Sequence, residues 1–463
     1  TPYLLLLNSF APLASISGII IGIMALDTTP YKGVRDFYPQ DYIVRQYIFD
    51  TWRNTVEKFG YEPYDASVIE GIDIYLAKTS EEIVSEQTYS FTDRGGRQVV
   101  LRPEMTPTVS RMVAQRRQEL AYPLRWYSIP NCWRYERPQK GRLREHWQLN
   151  VDVFGIQNVT ADIEIITVAN EIMKAFKATP EMYTIRVNSR QVVAYILSDY
   201  LGLEAAEATT IIRLIDRMNK MEYGEFAGLI SAAISPSLRE EKAVDEQLLT
   251  ILKARTIKEL PTEVQRQPFT IELQELLENL KFQGIQNAVF DPTLMRGFMY
   301  YTDVVFEVFD TSPENNRALF GGGRYDGLVG QFGVEPVPTV GFGMGDVTIK
   351  DFLETHKLLP KLAHTVHATM VFVGDMNQKA QPLLAKLRQE GAHISVDSTD
   401  RKLDKKLKSV AKSGVRYAII FGEGESNESN ITIKDLSNGK QEQHSFERVV
   451  TTIMANSKNN LLD

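Results

Sequence analysis

The sequence predicts an α+β chain, a sheet of hairpins with flanking helices followed by a small α/β unit. Three observations support this. Short strand-like runs separated by turn residues, among them Asp93-Arg94-Gly95-Gly96, continue as far as Phe154. From Gln191 to about Leu280 the apolar spacing is mostly helical. Neither a Gly-rich P-loop nor a G-x-G-x-x-G fingerprint follows a strand, so a parallel nucleotide-binding sheet is not expected.

The elements follow in order. After Asp36-Phe37-Tyr38-Pro39, the residues Tyr42, Ile43, Tyr47, Ile48, Trp52 and Val56 recur at helical spacing and end near Gly60. Strands and hairpins come next, then an amphipathic helix over Ala161–Phe176 and a strand over Tyr183–Asn188. The helical block carries no catalytic motif and reads as an insertion. A packing subdomain and a contact surface for a partner are both open readings of it. Near THKLLPKLAHT, Thr355 to Thr365, proline and basic residues mark a boundary. Beyond it Ala368–Val373, Ile394–Val396 and Tyr417–Phe421 read as strands, with helices at about Gln378–Gln389 and Leu403–Lys412 between them. The expected division is an apolar extension at 1–26, a main domain at 27–355 with the insertion at about 191–280, a linker at 356–366 and an α/β domain at 367–463.

The bulk numbers narrow the function. A chain of 463 residues predicts two or three domains, and 43% apolar content is ordinary for a soluble protein. A net charge of −7 argues against nucleic-acid binding through overall charge, so such contacts need local patches. Cys132 is the sole cysteine, which excludes an intrachain disulfide and a cysteine-rich zinc site and fits a reducing cytoplasm. The six histidines form no metal-ligand pattern, so no structural metal is expected. Thr1 to Leu26 is uncharged and long enough to span a membrane. It lacks the basic start of a signal peptide, and Pro2, Asn8 and Pro12 weaken a membrane helix. Two expectations stand for it: residues ahead of a true start at Met24, or a disordered extension.

The chemistry concentrates in WRYERPQKGRLREHWQLNVDVFG, Trp133 to Gly155. An arginine-rich turn there enters a strand whose alternate residues are Gln148, Asn150 and Asp152. Those three share one face while Leu149, Val151 and Val153 pack behind. Such a row can hold a small polar molecule beside a phosphate, which the planar guanidinium binds with paired donors. Taken alone, the turn is a surface hairpin with salt bridges. Three further segments change that reading: FTDRGGRQVVLRPEMT from Phe91, RGFMYYTDVVFEVFD from Arg296 and GGGRYDGL from Gly321.

In this order the four segments resemble histidyl-tRNA synthetases, class II aminoacyl-tRNA synthetases, over about Tyr31 to the C-terminus. RYERPQKGR is similar to their motif 2, and the Arg296 segment to their histidine signature. The resemblance implies a class II antiparallel sheet flanked by helices, a C-terminal anticodon-binding domain and a homodimer. It also implies that ATP, with Mg2+, activates L-histidine to histidyl-adenylate and that histidine passes to tRNA(His). Arg134 would lie on the α-phosphate, with Arg296 opposite as a fixed cation that also orients the histidine carboxylate. Glu136 would hold the adenine amino group and Arg142 the outer phosphates. Glu104, Thr106 and Gln148 would satisfy the three donors of the α-ammonium. Asp152 and Tyr301 would address the two ring nitrogens, with Tyr300 and Tyr325 as pocket walls. The family often has glutamate where Asp152 stands, so the shorter side chain implies a shifted ring or a bridging water. Gly321, Gly322 and Gly323 permit close backbone approach.

The chain departs from the family pattern in two places. In VGFGMGDVTIKDFLE, Val340 to Glu354, the glycines match motif 3 but Thr348 stands where its arginine is usual. Lys350 and Arg317 are the candidates for the missing charge. In GYEPYDASVIEG, Ser67 stands where motif 1 usually has proline, with Pro63 out of register.

From Arg401 to Lys412, RKLDKKLKSVAK places Leu403, Leu407 and Val410 inward and Arg401, Lys405, Lys408 and Lys412 on one outer face. A solvated charged face is the ordinary reading. Within a domain resembling an anticodon-binding module, the face is expected to track tRNA phosphates. The leading reading is therefore a histidine–tRNA ligase. The alternative is a non-catalytic relative, such as the regulatory subunit of ATP phosphoribosyltransferase, which the loss at Thr348 favours.

Overall fold

The helix Pro39–Glu57 begins at a proline, which suits a first-turn position where the backbone N–H has no helical partner. It buries Ile48, Trp52, Thr55 and Val56 along one stripe. In the computed structural model, which describes residues 26–76, 87–218, 221–294, 300–315, 317–362, 364–423 and 430–458, this helix packs on the helix Thr160–Ala175. The expectation for residues 1–26 thus lies, but for Leu26, outside the described residues.

Both helices back a nine-stranded sheet. A short three-stranded sheet, β2 (Ile69–Gly71), β3 (Tyr89–Thr92) and β4 (Gln98–Leu101), stands apart from it. The large sheet comprises β1 (Glu62–Pro63), β5 (Leu124–Ser128), β6 (Asn131–Trp133), β7 (Glu145–Phe154), β8 (Tyr183–Ser189), β9 (Ala288–Phe290), β10 (Val304–Asp310), β11 (Ala318–Arg324) and β12 (Thr339–Gly345). Their order is β1-β5-β7-β12-β11-β10-β8-β9, with β6 paired to β7. All neighbours from β5 to β8 are antiparallel, and only the edge pairs β1/β5 and β8/β9 are parallel. The expected α+β class with an antiparallel sheet and flanking helices is borne out.

Two strands shape the functional face. In β7 the inward set Leu149, Val151 and Val153 joins the core, and Gln148, Asn150 and Asp152 point the other way. Register sets Asp152 opposite Gly341, Asn150 opposite Gly343 and Gln148 opposite Gly345. A Cβ on Gly341 would collide with the Asp152 carboxylate, and one on Gly343 with the Gln148 amide. The glycines of β12 therefore let the polar row lie down across the neighbouring strand.

The expected helical block runs from Arg190–Tyr195 through Pro268–Phe282. The C-terminal sheet comprises β13 (Ala368–Phe372), β14 (Ile394–Asp397), β15 (Tyr417–Phe421), β16 (Ile431–Asp435) and β17 (Gln441–His444), ordered β14-β13-β15-β16-β17. The helices Asn377–Gln389 and Leu403–Ser413 fall where the spacing placed them. The β16–β17 hairpin and the helix Phe446–Lys458 complete the domain. Among the described residues no helix is long and apolar enough to cross a membrane.

Candidate active site

Arg134 leaves the sheet at the end of β6. Its Nε donates to the Pro103 carbonyl at 2.9 Å, and its backbone N–H to the Arg144 carbonyl at 2.8 Å, so the guanidinium is aimed by two fixed points. The turn beyond it closes through paired bonds between Gln139 and Arg142, with Gly141 at positive φ. Arg142 Nη1 lies 3.1 Å from Glu136 Oε2. Arg144, which the sequence reading did not single out, secures the base of the turn. Its Nε donates to the Glu136 carbonyl and its Nη1 to the Tyr31 hydroxyl, and its guanidinium stacks 4.1 Å from the Tyr135 ring.

Two cavities open on this frame. The larger, about 470 Å³, is lined by Arg134, Glu136, Lys140, Arg142, His146, Gln148, Arg317, Gly343, Thr348 and Asp351, among others. The smaller, about 40 Å³, is lined by Glu104, Thr106, Arg134, Gln148, Asn150, Asp152, Tyr300, Tyr301, Gly321, Tyr325 and Gly341 together with Phe342 and Gly343. They meet at Arg134, Gln148 and Gly343, which line both. The residues expected at ATP (Arg134, Glu136, Arg142) line the larger space. Those expected at histidine (Glu104, Thr106, Gln148, Asp152, Tyr300, Tyr301) line the smaller. Arg296 lies outside the described residues.

The small cavity is a polar pocket walled by aromatics. Tyr300, Tyr301 and Tyr325 pack edge to face, with ring centroids 4.9 to 6.4 Å apart. The Tyr300 hydroxyl donates to Glu104 Oε2 at 3.2 Å, and the Tyr75 hydroxyl donates to the Glu104 carbonyl. Tyr325 is more than a wall, because its hydroxyl donates to Asp152 Oδ1 in a short hydrogen bond. Burial pushes the Asp152 carboxyl up to about 7, and the Tyr325 bond opposes that rise. Asp152 Oδ2 is buried and has no hydrogen-bond partner among the described residues. A buried acceptor left in this state calls for an N–H donor.

Two neighbours stay chemically quiet. Burial pushes the Cys132 thiol up to about 11, so it is no nucleophile at neutral pH. Burial first, then Arg134 and Arg35, push His146 down to about 3 and keep its ring neutral.

Two expectations need adjustment. Lys350 does not line the ATP-sized cavity. It follows Thr348 by two positions, about 200° round the helix Asp346–Thr355, and its Nζ pairs with Glu354 at 2.7 Å. Arg401 precedes the helix Leu403–Ser413 and is held by Asp397 at 2.9 Å, whereas Lys405, Lys408 and Lys412 are exposed on that helix. Ser67 lies in the loop after β1, and Pro63 is the strand residue.

Residues 33–347 match the family model for histidyl-tRNA synthetase, and residues 366–456 that for an anticodon binding domain. The histidine–tRNA ligase of Leptospira biflexa is 39% identical over 92% of this chain and 98% of its own length. In fold, the chain resembles the histidyl-tRNA synthetase of Nostoc sp. PCC 7120, with a TM-score of 0.78 and 21% identity over 93% of this chain and all of that one. A Bacillus halodurans chain described as ATP phosphoribosyltransferase regulatory subunit/histidyl-tRNA synthetase is less alike in fold. Its TM-score is 0.69 and its identity 24%, over 85% of this chain and 98% of that one. With a polar pocket ending on a carboxylate oxygen unpaired among the described residues, beside a cationic cavity, and with family matches over 33–347 and 366–456, this protein belongs to the histidyl-tRNA synthetase family.

Proposed function

We propose that this chain activates histidine in the smaller cavity with ATP bound in the larger, and then transfers it to tRNA. The observation that carries the assignment is the junction of the two spaces at Arg134, Gln148 and Gly343. A carboxylate held at that junction faces the α-phosphate of a nucleotide in the neighbouring space. Both groups are anions, so their approach is repulsive until a fixed cation neutralises the charge that builds up. Arg134, anchored through Nε to the Pro103 carbonyl, is aimed before substrate arrives. The carboxylate oxygen bonds to phosphorus as pyrophosphate leaves, and a terminal hydroxyl of tRNA then displaces AMP from the acyl carbon.

Glu104, Thr106 and Gln148 accept the donors of the α-ammonium. Asp152 Oδ2 accepts a ring N–H, while Tyr325 occupies Oδ1 and sets the carboxylate's orientation. Tyr301 addresses the second ring nitrogen. A side chain without ring N–H leaves Oδ2 buried and unpaired, which is how such a site rejects near-isosteres. Glu136 takes the adenine amino group and Arg142 the outer phosphates. Magnesium arrives with ATP as part of the substrate, and Glu314 and Asp351, which line the same cavity, would be the carboxylates left to hold it once Glu136 takes the adenine.

In this reading residues 27–355 form the catalytic unit, 356–366 the linker and 367–463 the anticodon-binding domain. Lys405, Lys408 and Lys412 follow tRNA phosphates, with Arg401 at their margin. Homodimer assembly and a cytoplasmic setting belong to the same proposal. The match of residues 366–456 to an anticodon binding domain supports the ligase over a regulatory subunit. Histidine-dependent ATP–pyrophosphate exchange is the test. Exchange with histidine alone among the amino acids is expected, and a folded, ATP-binding chain without exchange would overturn the assignment.

A further inference from the structure

The larger cavity has Thr348 in its lining at the position where the family pattern has a cation, and Arg317 in the same lining. Along β11, Gly321 lines the small cavity, and Arg317 sits just ahead of the same strand. At about 3.3 Å per residue, Arg317 stands roughly 13 Å further along the strand direction. The α-phosphate belongs at the junction, beside Arg134. A nucleotide whose outer phosphates run away from the small cavity along β11 would bring them to the Arg317 end.

The other basic groups already have partners. Arg134 is fixed to the Pro103 carbonyl at the junction, and Arg142 is paired with Glu136. Lys350 is paired with Glu354 on another face of its helix. Lys140 Nζ donates to the Glu314 carbonyl at 3.3 Å. Arg317 Nη2 donates at 3.1 Å to Gln139 Oε1, a neutral acceptor, so Arg317 differs from Arg142 and Lys350 in having no carboxylate partner. No carboxylate lies within ion-pair distance of Arg317 among the described residues. Its position is thus set by the tip of the arginine-rich turn without an ion pair among the described residues. Thr348 meanwhile cannot serve. Its hydroxyl donates to the Leu319 carbonyl at 2.6 Å, and Gly141 of the turn lies over its methyl group.

We propose that Arg317, oriented by Gln139, joins Arg142 on the outer phosphates of ATP in this chain, in place of a cation at position 348. The proposal rests on the adenylation reading above. A guanidinium with a neutral partner can turn two parallel N–H donors onto phosphate oxygens without first breaking an ion pair.

Equilibrium binding of ATP and of AMP to the full-length chain tests this without relying on turnover. Arg317→Ala is expected to weaken ATP by tenfold or more and to leave AMP, which lacks outer phosphates, within about twofold. Arg317→Lys should fall between wild type and Arg317→Ala, because it keeps the charge and loses the paired geometry. Lys350→Ala should bind ATP as wild type does. Arg317 is exposed, so its replacement is not expected to disturb folding, and an unchanged melting temperature verifies that. Unchanged ATP affinity in Arg317→Ala would overturn the proposal. So would equal weakening of ATP and AMP, which would mark a contact with the base or a collapse of the turn. Histidine-dependent pyrophosphate exchange by the wild type separately decides the adenylation reading, so the two can fail independently.

Discussion

Asp152 is where recognition and stability pull against each other. Its carboxyl rises from an ordinary 3.8 to about 7, burial being the main cause. Between those values the native state keeps a proton that the unfolded chain has released. The stability it contributes is therefore full below about pH 4 and lost as pH rises through 7. A site that binds a ring N–H needs the acceptor oxygen regardless of that cost. Asp152→Asn removes the ionisation, so it is expected to unfold at higher temperature than wild type at pH 8, with about 2–4 kcal/mol more stability. At pH 4 that advantage should vanish. Its KM for histidine should rise at least tenfold, since an amide nitrogen can replace the orphan acceptor with a donor. Thermal unfolding at the two pH values checks the first part. A variant less stable than wild type by the same margin at both would sink it.

At the scale of elements, the GGGRYDGL segment divides its labour. Gly321 to Gly323 keep β11 thin where neighbouring strands approach, and the next residue fastens that strand to the helix behind the sheet. Arg324 is 4% exposed, its Nε and Nη2 bond to Asp162, and it also donates to the carbonyls of Ile156 and Asn158. Removing Asp162 leaves that buried charge, besides those carbonyls, only the longer, part-exposed contact with Asp326 at 3.4 Å. Asp162→Asn should therefore lower the unfolding free energy by about 3–5 kcal/mol, as denaturant titration would show. A loss below 1 kcal/mol would mean that the carbonyls and Asp326 together satisfy the guanidinium. The contrast explains what could be read in sequence. Periodicity revealed the helix Pro39–Glu57 and the two faces of β7, because a buried stripe must repeat with the geometry of its element. The roles of Arg324, Tyr325 and Arg144 were not legible in that way. Each depends on a partner far along the chain, at Asp162, Asp152 and Tyr31, and no local pattern records such a pairing. The β16–β17 hairpin escaped because Gln441–His444 is exposed and polar, without the alternation that marks a half-buried strand.

Across the whole molecule, the two functions attributed to the chain sit on separate cores. The sheet that carries Arg134 and Asp152 shares one hydrophobic cluster with the helices Pro39–Glu57 and Thr160–Ala175, whereas β13 to β16 close their own. Activation chemistry can thus be separated from tRNA binding by mutation. On the helix Leu403–Ser413, Leu407 and Val410 pack inward, and Lys406 reaches the Phe372 carbonyl at 3.0 Å from a buried position. Lys405, Lys408 and Lys412 remain exposed, a short basic row on a chain of net charge −7. Local charge of this kind attracts a polyanion through counterion release, so its contribution should fade as salt rises. Replacing these three lysines with alanine should raise the KM for tRNA at low salt by roughly tenfold and flatten its salt dependence by about three phosphate contacts. Histidine-dependent pyrophosphate exchange should be unaffected, because no group of the catalytic cavities is touched. Arg401→Ala should have a smaller effect than any of the lysines, its charge being engaged by Asp397. An unchanged salt slope in the triple variant would remove this helix from the tRNA path and leave the insertion between Arg190 and Phe282 as the surface to probe.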